Sequence, residues 1–155
     1  MPIKGMGKVF KALDKVGQES NKKVAGIYAD GLKAVVLATP VGVKDGGRAR
    51  NNWFLSENSP SSKITRLRSP DGSSSLARLA GMPKVVLGRK LFFTNNVPYI
   101  ETLEYGGYPN PPKKGSWIDG QYQKLSNGGY SLAAPKGMTR EALLKMRKAI
   151  RAINR

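Results

Sequence analysis

Apolar positions recur along the chain with two different periods. From Lys8 to Ala38 the spacing is helical: Val9, Leu13 and Val16 fall at i, i+4, i+7, and Val24, Ile27, Tyr28, Gly31 and Val35 continue the face. Gly17, Gly26 and Gly31 each cost about 1 kcal/mol relative to alanine, so a break or bend is expected near Gly17. Thr39-Pro40 disfavours helical geometry at Thr39 and ends the segment. Alternation over Asn51 to Ser56 predicts a strand with Trp53 and Leu55 on one face, and Lys63 to Leu67 a second short one. Ser73 or Ser74 is expected to cap a helix through Ala80, with Leu76 and Leu79 inward. Val85–Leu87 and Lys90–Thr94, separated by Gly88-Arg89, read as a hairpin. Tyr99, Ile100 and Leu103 make a small helical face within Val97–Tyr105. Gly106 to Pro135 has no sustained period, and Thr139 to Asn154 is the clearest helix of all.

In that last helix Leu143, Met146, Ile150 and Ile153 fall within about 80° of arc, predicting the packing stripe. Arg140, Arg147, Lys148, Arg151 and Arg155 occupy a sector of about 100° on another side, a basic stripe facing DNA or an acidic partner. Thr139 is the expected N-cap, and Glu141 suits the positive end of the helix dipole. The architecture expected is one α+β domain over 1–155: N-terminal and C-terminal helices on a small, mainly antiparallel sheet, with a long arm at 107–132. The sheet would contain Asn51–Ser56, Val85–Leu87 and Lys90–Thr94.

Composition narrows the chemistry. With no Cys there is neither a disulfide framework nor a thiolate metal site. With no His, the commonest general base and zinc ligand and every Ser-His pair are gone. An enzyme is not expected, and no metal or cofactor is implied. No apolar run approaches the ~18 residues of a membrane span, so a soluble, intracellular chain with no membrane partner is expected. The 27 Lys+Arg against 10 Asp+Glu leave a net charge of +17, which favours polyanions, nucleic acid first. The excess sits toward both ends: residues 1–50 hold 10 basic and 4 acidic side chains, and residues 113–155 hold 10 and 2.

Three local features could carry function. Asp45-Gly46-Gly47-Arg48-Ala49-Arg50 lacks the Gly-Lys-Ser/Thr of a P-loop and precedes a strand, so a helix-to-strand corner is favoured over an anion nest, with Trp53 buried against the first helix. Glu101 and Glu104, at i, i+3, read as an outward acidic patch suited to docking against another copy. The insert carries Trp117 and Tyr122 as interface anchors, a hairpin around Asp119-Gly120, and Lys113, Lys114 and Lys124 to meet Glu101 and Glu104 of the next copy.

"TPVGVKDGGRARNNW", "FFTNNVPYIETLEYGG" and "AAPKGMTREAL" occur in that order. The ordered set resembles the small tailed-phage neck proteins called head–tail joining, tail-completion or minor tail components, over about 8–106 and 133–155. The chain departs from them in a longer Val41–Gly47 turn and in the Gly107–Leu132 insert, onto which no family residue carries over. The resemblance implies a virion structural protein at the head–tail junction, made in the host cytoplasm and assembled as a ring around packaged DNA. Six copies are favoured, with twelve as the portal-matched alternative, beside adjacent neck, portal-side or tail-tube proteins. A tail-terminator role is not separated from tail completion or head closure. The other reading is a standalone basic nucleic-acid-binding module.

Overall fold

The computed structural model describes residues 6–42, 46–105, 117–118, 121–122 and 134–153. Its described elements run α1 (Met6–Ala38), β1 (Trp53–Glu57), α2 (Ser73–Ala80), β2 (Leu91–Asn95), α3 (Ile100–Tyr105), β3 (Trp117–Ile118), β4 (Gln121–Tyr122) and α4 (Thr139–Ile153). The α+β architecture is therefore as expected: two terminal helices and a small antiparallel sheet.

α1 is one unbroken helix of 33 residues, about 50 Å long at 1.5 Å per residue. The break expected at Gly17 does not occur, because a lone glycine weakens a helix without supplying a competing hydrogen bond. Only the C-terminal end of α1 is built into the core, through Val35 and Val36. There the α4 helix crosses it so closely that a Cβ on Gly31 would collide with the Met146 side chain.

β1 and β2 pair antiparallel, Trp53 opposite Asn95 and Leu55 opposite Phe93. On one face Trp53 stacks on Phe93, centroids 4.9 Å apart, and joins Val35, Val36, Leu79 and Ala142 in the core. The expected burial of Trp53 holds: it is 4% exposed, and its Nε1 donates to Thr39 Oγ1 at 2.8 Å. On the other face Arg78 of α2 lies 4.1 Å over the Phe54 ring and donates to the carbonyls of Asn51 and Trp53.

Two strand expectations are overturned. Val85–Leu87 does not pair with Leu91–Asn95, whose partner is β1. The backbone of this segment is held instead by Asn21 of α1, which accepts from Val86 N and Leu87 N and donates to Lys84 O. Lys63–Leu67 is irregular, pinned where Asn52 accepts from Thr65 N and donates to Thr65 O. In both places an asparagine side chain satisfies backbone groups that a neighbouring strand would otherwise have used.

Candidate functional site

The Gly-rich stretch forms a corner. Gly46 and Gly47 adopt positive φ (49° and 89°), and a Cβ on Gly47 would strike the Ser69 carbonyl, so glycine is required there. Arg50 points into the corner: it donates to Leu37 O (2.9 Å), Thr39 O (2.9 Å) and Pro70 O (2.6 Å). Leu37 O lies in the last turn of α1 and Thr39 O just past it, so Arg50 works as a helix C-cap. Burial lowers its pKa, with nearby Asp71 opposing. Three of the five guanidinium N–H donors of Arg50 are thus engaged by carbonyls of the corner itself.

The two glutamates separate. Glu101 is exposed in the first turn of α3, as expected. Glu104 is 5% exposed and faces inward, which overturns its assignment to an outward patch. Its carboxylate accepts from Met138 N (2.6 Å), Thr139 N (3.1 Å), Thr139 Oγ1 (2.7 Å) and Arg140 N (3.3 Å). These are the orphan donors at the start of α4, where the helix dipole favours a negative charge. Thr139 is thus not the N-cap: its hydroxyl donates to the cap that Glu104 provides from 35 residues upstream. The sequence spacing placed both glutamates on one helix face but could not show that this face would be covered by another helix's end.

On α4 the basic side chains Arg147, Lys148 and Arg151 are exposed, and so is Arg140. Arg155 lies outside the described residues. Glu141, paired with Lys145 at 2.9 Å, has its pKa lowered by that hydrogen bond and charge. The packing stripe is rotated from the expected one. Ala142 is buried, with Met146, Ala149, Ile150 and Ile153 half-buried, whereas Leu143 and Leu144 are 54% and 56% exposed. The small residues Ala142 and Ala149 let α4 approach α1 at Gly31 and Ala34, which turns Leu143 outward. Leu144 stands among Arg147, Lys148 and Arg151, so this surface is basic and apolar together.

Lys113 and Lys114 lie outside the described residues. Trp117 and Tyr122 fall in β3 and β4, where Trp117 pairs with Tyr122 and Ile118 with Gln121, the antiparallel pairing expected of a hairpin around 119–120.

The surface that sequence reasoning missed is on α1. Met6, Val9, Phe10, Leu13 and Val16 are 44–61% exposed, and a Cβ on Gly7 or Gly17 would meet nothing within 4 Å. The periodicity marked Val9, Leu13 and Val16 as a packing face, but their lack of cover is a tertiary fact, and Met6 and Phe10 extend the stripe. A second apolar surface is a groove of about 340 Å³ between α1, the β1–β2 sheet and α4. Leu32, Leu55, Phe93 and Met146 line it, and Arg89 and Lys90 stand at its rim.

Among the described residues no group of three or more His, Cys, Asp or Glu side chains could hold a metal ion, and no helix is long and apolar enough to cross a membrane. Comparison with known proteins found no matching family model, no matching curated protein and no matching solved structure.

Proposed function

We propose that this chain is a structural protein of a tailed-phage virion, one subunit of a homo-oligomeric ring at the head–tail junction around the DNA channel. The observation that carries the reading is the uncovered apolar stripe of α1. A contiguous apolar face left in water marks an interaction surface. The ordered motif set supplies the phage setting, through its resemblance to neck and tail-completion proteins. The exposed Arg147, Lys148 and Arg151 suit a subunit beside packaged DNA. Six copies fit the resemblance to tail-end rings, and twelve would match a portal.

Electron microscopy of phage particles made without this chain tests the proposal. DNA-filled heads and separate tails are expected. Normally joined particles would overturn it. The basic face of α4 also favours a second reading, a standalone nucleic-acid-binding module. In that case the monomer alone should bind duplex DNA or RNA tightly, with affinity falling steeply in salt.

A further inference from the structure

The two uncovered apolar surfaces are complementary in form and in charge. One is a ridge, the stripe Met6–Val16 on the free half of α1; the other is the groove over Leu32, Leu55, Phe93 and Met146. We infer that the ridge of one copy seats in the groove of the next, so that each subunit contacts its neighbour head to tail. The inference rests on the ring reading for its setting and names the contact that would build the ring.

Reach excludes the contact within one chain. Leu13 and Leu32 lie on the same unbroken helix, about 28 Å apart along its axis, so the ridge cannot fold back onto its own groove. Two different patches meeting on successive copies is a heterologous interface, the kind that closes into rings.

Charge favours a second copy as the occupant. With Leu13 at the centre of the stripe and 100° per residue, Met6, Val9, Phe10 and Val16 lie within about 60° on either side. Asp14 and Glu19 flank the stripe at about 100° and 120° on opposite sides, by the same count. Both carboxylates are exposed, and among the described residues neither has an ion-pair partner. Lys8, Lys11, Lys15 and Lys22 fall on the far side, within about 40° of the opposite pole. An acid-flanked ridge matches a groove with the exposed Lys90 at its rim, where Arg89 is already paired with Glu57 at 2.9 Å. A helix lying on an anionic membrane would likewise carry lysines on its polar face, so capture by anionic vesicles is the measurement that separates the two occupants.

The absence of cysteine makes a crosslinking test clean. Single-cysteine variants Leu13→Cys (ridge) and Leu91→Cys (groove) are mixed and oxidised, with Ser62→Cys, on an exposed loop, as control. A ridge–groove contact gives the mixed heterodimer severalfold above either homodimer and above the control. The double variant Leu13→Cys/Leu91→Cys should give a ladder ending in a closed species. Dominance of the Leu13→Cys homodimer would mean that two ridges pair with each other, and would overturn the contact. Crosslinking no stronger than the control overturns it as well. Capture of wild type by anionic vesicles, lost in Leu13→Glu, together with failure to crosslink, would assign the ridge to a membrane and sink the proposal. The two readings fail separately. Rings without the crosslink retain the ring and remove this contact; the heterodimer with only open chains retains the contact and removes the ring.

Discussion

Glu104 shows how one buried carboxylate decides a junction. It accepts four hydrogen bonds from residues 138–140 and holds the start of α4 against the end of α3. Removing its charge leaves those donors buried with a weaker acceptor. Glu104→Gln is expected to cost about 1–2 kcal/mol and Glu104→Ala about 2–3 kcal/mol, read by thermal unfolding, with faster amide exchange at the start of α4. An unchanged melting temperature for Glu104→Ala would contradict the capping role. Asp71 offers a titration test in the surface turn before α2. Its carboxylate accepts from the Ser69 hydroxyl and from Ser73 N, and these bonds lower its pKa, the Ser69 bond most. A depressed carboxylate pKa contributes stability above the unfolded-state value, and that contribution is lost as pH falls through the folded one. Ser69→Ala should therefore move the Asp71 titration upward toward the ordinary carboxylate range, as followed by carboxyl NMR.

At the scale of elements, helix ends are held by groups distant in sequence. Arg50 closes the C-terminus of α1, Asn51 accepts from Ser74 N in the first turn of α2, and Glu104 caps α4. The predicted caps Ser73 and Ser74 lie inside α2, which is preceded by Gly72 in the left-handed region with no side-chain cap bond. Each helix end therefore stabilises a tertiary contact as well as itself. Arg50→Ala should cost about 1–3 kcal/mol, since three bonds from a charged donor are lost at a partly exposed site. The check is denaturant unfolding, with an unchanged slope showing that the folded state stays compact. Trp53 reports on the same corner. In a Trp117→Phe background its emission should be blue-shifted and poorly quenched by acrylamide, and Trp53→Ala should cost about 3–5 kcal/mol. Full quenching in the folded protein would contradict its burial between α1 and Phe93.

At the scale of the whole molecule, packing divides the surface by character. Core-forming residues gather where α1, the sheet, α2 and α4 meet, leaving half of α1 outside with its apolar stripe uncovered. The outer face of α4 presents Arg147, Lys148 and Arg151. If this face contacts DNA phosphates, reversal of both Arg147 and Arg151 to glutamate should weaken duplex binding for every sequence and flatten its salt dependence. The fold should be unchanged, because neither side chain is buried. Binding that keeps its full salt slope would assign the face to solvation alone.

Periodicity and turn chemistry were enough to specify both terminal helices, α2, the strand bearing Trp53, the corner before it and the α+β class. Those features depend on near neighbours: a 3.6-residue repeat, a Thr-Pro stop, and glycines where the backbone turns through positive φ. The basic sector of α4 was legible for the same reason, since angles around one helix need no partner. Strand pairing was not, because Asn21 and β1 decide it from 65 and nearly 40 residues away. Nor was the inward turn of Glu104, or the outward turn of Leu143, which follows from how closely Gly31 lets α4 approach. The uncovered ridge belongs to this second group. A helical repeat identifies an apolar face, but only the arrangement of the other elements decides whether anything covers it.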